Sequence, residues 1–400
     1  MNLRCIHCAG KGACGRPFCP LQQKIKAQTI LNTNFKKDFF GASPNVFVGK
    51  YGYPDVNVGF LSNENVTEEH DAPKKWSGEN YQIPKVIDLR SSLVNSSFKA
   101  NVKSFDEKFL DIAKEVSMSE KPVDIEVNLN KKPSFALTYN QDAAPFGPTV
   151  RVEKAIVTEN PKIPVHVDKA VSDVDLKSVD AMKYLYSKGF DEHYLTKLIS
   201  VGNLGVKENR KLVPTRFSIT ATDDILGKHL ISEIKDFAQH NYVALFGNYL
   251  GNYYLLLFFP DVWSYELFET SVANQENIET MTDYEDINGR KYYAVNTVGG
   301  YYAARLAVLE YLKSIKRQSS VLCLRFITNE YYAPLGVWVV REATRKATIS
   351  KPIEFSSEAL MLNYAKILIK KKLGFNLDNL LQKSILLKNM KQQSKLSKFF

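Results

Sequence analysis

A chain of 400 residues with 44% hydrophobic and 12% aromatic side chains can bury sizeable cores, which excludes a disordered protein, and five cysteines are too few for a disulfide-stapled mini-domain. At roughly 100 to 200 residues per domain, the length predicts two or three folded units. The net charge of +10 sits at the ends: residues 1–40 carry seven Lys or Arg and one acid, residues 365–400 carry nine Lys and one acid, and the body between them is net acidic. Such asymmetry favours a polyanionic partner, although lysine-rich ends also serve solubility.

In chain order, the first feature is a cysteine cluster, Cys5-x2-Cys8-x5-Cys14-x4-Cys19, with Gly10, Gly12 and Gly15 letting the chain double back. Cysteines and charges in Met1–Pro20 argue against a signal peptide, so the expected compartment is the cytoplasm, where thiols stay reduced. Four thiolates at this spacing predict a tetrahedral zinc site. An iron–sulfur cluster, a pair of disulfides, and His7 replacing one cysteine are the alternatives. Lys11 and Arg16 flank the thiolates, and Lys24 and Lys26 follow on a basic amphipathic stretch, 21–39; these four are the candidate nucleic-acid contacts.

Residues 41–60 read as short strands and turns, and the polar, acidic residues 61–83 as a solvated loop. A helix is predicted over 104–117, with Ser104 and Glu107 as a capping box and Phe105, Phe109, Ile112 and Val116 on one face. Residues 122–140 alternate like strands, and a helix from about Val174 to Lys188 should end at Gly189. The stretch 214–222, PTRFSITAT, alternates as a strand leading into a helix over 223–238. Tyr242–Pro260 is apolar enough to suggest a membrane span, but Asn248, Gly251 and Asn252 split it into strand-length halves, so a buried hairpin is expected and no membrane association. Residues 271–290, polar and aperiodic, are the expected boundary between two larger units. Beyond them come an amphipathic helix at 299–315, buried strands at 320–327 and 336–342, and a helix capped by Ser356 or Ser357 and ended near Gly374. Irregularly mixed strands and helices predict an α+β fold in two associated units, with the zinc site at one end and a flexible tail at the other.

Catalytic signals are weak. Arg216, Asp223, Asp224 and Glu266 would face one cleft if 214–222 and 254–268 were neighbouring strands, and carboxylates around a divalent ion can activate water for phosphodiester cleavage. Arg216, Ser218 and Glu266 also loosely resemble the Arg, Ser, Glu set of NAD-using ADP-ribosyltransferases. Arg325, Glu330, Arg341 and Glu342 could pair with one another, the lone Cys323 reads as a buried strand residue, and His166, His193, His229 and His240 show no partner spacing.

The chain ends Gln393-Ser-Lys-Leu396-Ser-Lys-Phe399-Phe400. In one helical turn Leu396, Phe399 and Phe400 form a single apolar plug while Gln393 reaches a polar pocket. This is the pattern of the peptide that docks on PCNA, the sliding clamp of DNA replication.

Taken together, CIHCAGKGACGRPFCP, FFGASPNVFVGKYGYPDVNVG, PTRFSITATDD, FPDVWSYELFE, PLGVWVVREATRKA and the terminal peptide make the chain similar to the archaeal Nre family of DNA repair proteins. The resemblance covers nearly the whole chain. It implies a zinc finger over 1–22, an N-terminal domain over 23–275, a C-terminal domain over 285–390 and a clamp-binding tail over 391–400. It also implies a response to DNA damage, with PCNA and DNA as partners. A nuclease or ADP-ribosyltransferase delivered by the tail is the competing expectation.

Overall fold

The computed structural model describes residues 35–103, 108–134, 147–273 and 279–392. These described residues form two compact units, one within 1–226 with 332–336, the other within 227–331 with 337–400.

In the first unit five strands, β1 (Asp38–Val48), β2 (Asp55–Asn63), β3 (Val94–Asn101), β4 (Val123–Leu129) and β5 (Thr149–Val157), close into a barrel of order β1-β2-β3-β5-β4. All pairings are antiparallel except β3 with β5. The period-2 pattern explains the closure. On β4, Val123, Ile125, Val127 and Leu129 are buried while Asp124, Glu126 and Asn128 look outward, and Val56, Val58 and Phe60 do the same on β2. Each such side chain contributes about 1.5–3 kcal/mol on burial. Between β3 and β4 the helix Lys108–Met118 turns Leu110, Ala113 and Val116 into the same core. Five strands in this order, with β3 parallel to β5 and a helix leading into β4, have the topology of the OB barrel. The turns Pro73–Gly78 (α1) and Ile83–Ser91 (α2) precede β3, so the barrel helix is α3. After β5 come α4 (Val165–Ser172), α5 (Ser178–Ser187), α6 (Glu192–Ser200) and the start of α7 (Thr215–Ile234).

The second unit is a sheet of order β11-β6-β7-β10-β8-β9, built from β6 (Tyr242–Tyr249), β7 (Asn252–Phe259), β8 (Ser264–Ser271), β9 (Thr280–Glu285), β10 (Ser320–Ile327) and β11 (Ile353–Phe355). The expected hairpin is β6–β7, and Leu250 and Gly251, both at positive φ, make the two-residue turn that such hairpins favour. Against the sheet pack α8 (Val298–Ser314), α9 (Trp338–Thr348), α10 (Glu358–Leu373), α11 (Asp378–Lys383) and α12 (Ile385–Gln392). Leu255, Leu257, Leu322 and Leu324 share a core with Met361, Ile369, Leu380 and Leu387 of the last three helices. Alternate residues such as Leu256 and Cys323 are equally buried, which is why these strands read as unbroken apolar runs. At Gly247 an added Cβ would stand 2.6 Å from the Ala347 Cα, so α9 rests directly on β6. Among the described residues no helix is long and apolar enough to cross a membrane.

Several expected elements differ. Residues 215–222 are helical, the first turns of α7, with Phe217 and Ser218 donating their amides to the Pro214 carbonyl. Both faces of this segment carry buried residues, Ser218, Thr220 and Thr222 included, so its alternation does not signal a strand. Residues 338–342 are likewise helical, in α9; the short apolar run Val337–Val340 fits either state, and the ATRKAT that follows continues the helix. Helix α8 is buried nearly all round rather than amphipathic. The helix expected from Val174 starts at Ser178, because the Asp173 carboxylate accepts the amides of Asp175 and Leu176 and breaks the chain after α4. The acidic stretch 61–83 buries Asp71, Trp76 and Tyr81. Residues 271–290 hold β9, which pairs with β8 in one sheet, and the two compact units divide at Leu226/Gly227. The capping box at Ser104 and Glu107 lies outside the described residues.

Candidate functional site

The proposed cleft residues are distributed between the two units. Arg216 is exposed and Asp223 buried, both on the part of α7 that belongs to the first unit, where Asp224 is half-buried; Glu266 lies in the second unit. The Glu266 carboxylate is committed elsewhere. It accepts hydrogen bonds from the Ser384 hydroxyl at 2.5 Å, from the amides of Ile385 and Leu386 at 3.0 Å each, and from Thr282 at 3.3 Å. A neighbouring strand thus supplies the cap of α12, and burial still raises the carboxyl above its ordinary value despite those four donors. Arg325 does not pair with Glu330 or Glu342; it holds Glu269 and the side-chain oxygen of Asn252. Cys323 is buried, its thiol pushed up to about 12 chiefly by burial. Among the described residues no group of three or more metal-ligating side chains converges. Cys5, Cys8, Cys14, Cys19, Lys11, Arg16, Lys24, Lys26, Gln393, Leu396, Phe399 and Phe400 lie outside the described residues.

Sequence spacing missed a charged cluster in the first unit. Buried Asp71 accepts from Arg90 of α2, from Asn45 of β1 and, at 3.0 Å, from His193 Nε2 on α6. Burial would raise the Asp71 carboxyl, but Arg90, His193 and Asn45 outweigh it and hold the group well below the carboxylate range. Burial would lower His193, but the Asp71 charge and hydrogen bond raise it. One turn along α6, burial brings the Lys197 ammonium down to about 8 while it donates to the Ser119 carbonyl. A carboxylate orienting a half-exposed imidazole is a catalytic element only beside a nucleophile or a reacting proton. Here its demonstrable work is to tie β1, α2 and α6 together.

The barrel also presents an outward face. Across its strands Phe47, Gly59, Ser97 and Arg151 stand in one row, and Asn57 and Lys99 in the next, while Val48, Val58 and Phe98 point inward. Beyond them the β1–β2 loop holds out Tyr51 and Tyr53, 70% and 67% exposed, with the Lys50 ammonium 4.9 Å from the Tyr51 ring centroid. The loop backbone is fixed. Gly49 donates to Asn57, Asp55 to Gly52 and Val102 to Pro54, and Gly52, at φ +87°, has no room for a Cβ, which would meet the Asp55 carbonyl at 2.8 Å.

Compared with known proteins, the chain matches the family model "Archaeal Nre, N-terminal" over residues 13–275 and "Archaeal Nre, C-terminal" over 285–399. The chain belongs to the archaeal Nre family. It is 35% identical over 403 residues to "DNA repair protein NreB" of Archaeoglobus fulgidus, covering 98% of each chain. It is 38% identical to "DNA repair protein NreA" of the same organism, covering 89% of this chain and 91% of the relative. With "DNA repair protein NreA" of Haloferax volcanii the identity is 37% over 77% of each chain. No solved structure matches this Nre protein.

Proposed function

We propose that this Nre protein is a DNA repair factor recruited to the sliding clamp, PCNA, through Gln393, Leu396, Phe399 and Phe400. Repair is supported by the names of relatives similar over most of the chain. Recruitment rests on one observation, the terminal Gln-x-x-Leu-x-x-Phe-Phe pattern, which begins one residue after Gln392, where helix α12 ends. Two adjacent phenylalanines three residues beyond Leu396 suit a partner's apolar pocket, with moderate affinity because ordering a short peptide costs entropy. A protein held on a DNA-bound clamp meets DNA at high effective concentration, so weak direct contacts suffice. The four cysteines complete the proposal with a zinc ion, whose basic flank, Lys11, Arg16, Lys24 and Lys26, adds phosphate contacts. Such a protein works in the cytoplasm, at the nucleoid.

The test is clamp pull-down with the full chain. Phe399→Ala with Phe400→Ala is expected to weaken clamp binding at least tenfold while the circular dichroism spectrum stays unchanged; undiminished binding would show that the tail is not the clamp ligand.

A further inference from the structure

The outward face of the barrel carries chemistry that neither the tail nor the cysteine cluster explains. Large aromatic side chains normally enter a core, yet Tyr51 and Tyr53 are held in solvent by a loop whose backbone is hydrogen-bonded at three points. Beside them the exposed cations Lys99, Lys103 and Arg151 join Lys50. Of the acids on the same strands, Asp55 accepts from Asn101 at 2.8 Å and Glu153 lies 3.9 Å from Lys37. In the middle of the row Gly59 carries no side chain of its own and is covered by the Asn95 side chain, so the half-exposed Phe47 and Ser97 and the exposed Arg151 are what the row presents outward.

Aromatic rings beside a cationic strip suit a polyanion that exposes flat apolar rings. Single-stranded nucleic acid has that chemistry, whereas a duplex keeps its base faces stacked inside. The same strands and the same loop of an OB barrel are where oligonucleotides dock, an argument by fold analogy that agrees with the side chains present.

We propose that this face binds single-stranded DNA, with Tyr51 and Tyr53 stacking on bases and Lys50, Lys99, Lys103 and Arg151 following the phosphates. The assignment deepens the repair function and rests on it for the choice of DNA; it is independent of the tail. It makes the protein a reader of exposed strands that the clamp delivers.

The experiment uses the full chain and a fluorescently labelled oligothymidylate, read by anisotropy across a salt series. Base stacking is worth about 1–3 kcal/mol per base, so Tyr51→Ala with Tyr53→Ala is expected to weaken binding at least tenfold. Lys99→Glu with Arg151→Glu should weaken it too and flatten the log–log salt slope by about 0.7 for each phosphate that the variant leaves unneutralised. Tyr292→Ala, on an equally exposed tyrosine before α8, is the control and should change nothing. All of these side chains are exposed, and unchanged thermal midpoints verify that the barrel still folds. An affinity within twofold of the parent for the tyrosine double variant would overturn the proposal. So would equal binding of the matching duplex, or binding that disappears only when Lys11, Arg16, Lys24 and Lys26 are replaced. The clamp reading fails separately: barrel variants should keep clamp pull-down, and the Phe399, Phe400 variant should keep the oligonucleotide.

Discussion

At the scale of single residues, Asp71 and His193 show how a buried charge is tolerated. The carboxylate survives inside the first unit because Arg90, Asn45 and His193 replace the water that burial removed. Asp71→Asn removes the buried charge that Arg90, Asn45 and His193 hold and is expected to cost about 3–5 kcal/mol, measured by urea unfolding near pH 6. An unchanged midpoint would show that the cluster carries no net stability. The pH dependence follows from the two shifts. Asp71, lowered from 3.8, contributes above that value and loses its contribution as pH falls through its depressed folded value. His193, raised from 6.5, contributes fully below that value and loses its share as pH rises through its elevated folded value. The cluster therefore stabilises most between about pH 4 and 6.5, and Asp71→Asn should flatten the stability profile on both sides of that window. No spacing rule could have revealed the pair, since the two residues are 122 positions apart and the segment around Asp71 has the composition of a loop. Buried Cys323, by contrast, was legible, because the apolar residues on both sides of it leave no room for solvent.

At the scale of elements, the acidic residues of β8 and β9 are taken up by partners inside the second unit, and one of them, Glu266, is a helix cap. Paired strands alternate their faces, so Asp283 and Glu285 serve α8 while Glu266 serves α12. Asp283 accepts the amides of Asn296 and Thr297, just ahead of α8, at 3.0 and 2.7 Å, and Glu285 takes Arg305 at 2.7 Å and the Trp263 indole at 3.1 Å. Glu266→Ala should strip α12 of its cap at a cost of about 1–3 kcal/mol. Hydrogen exchange is the direct measurement: amides of 385–392 should lose protection while those of β1 to β5 keep theirs, and equal protection throughout would show that Glu266 does not hold the helix. Composition showed 271–290 as polar and aperiodic and could not show β9 within it, because it counts carboxylates without knowing which buried groups await them. The same blindness to partners turned 214–222 and 336–342 into expected strands. Helix α10 was legible to its ends, with the Ser357 hydroxyl accepting the Leu360 amide and Gly374 in the left-handed region, because a cap joins near neighbours along the chain.

For the whole molecule, the net charge of +10 serves several purposes. The N-terminal excess flanks four cysteines in sequence, and with the proposed zinc ion their thiolates would carry a formal negative charge that neutralises part of it. Metal analysis of the purified full chain is expected to give about one zinc per chain, and an iron chromophore in its place would overturn the zinc proposal. The C-terminal lysines lie on α10 to α12 and on the tail, while the barrel, inside the net-acidic body, has its own local group of cations. A summed charge could not disclose that group. Family membership and the β6–β7 hairpin were determined by the sequence by itself, since each is carried by runs or short spacings that chain geometry keeps together. The order of strands in the barrel, the meeting of Asp71 with His193, and the row that joins Phe47 and Gly59 to Ser97 and Arg151 were decided only by the tertiary structure. The physical reason is closure: a barrel aligns residues by register across hydrogen-bonded strands, and that register is set by which faces bury their apolar side chains together, not by distance along the chain.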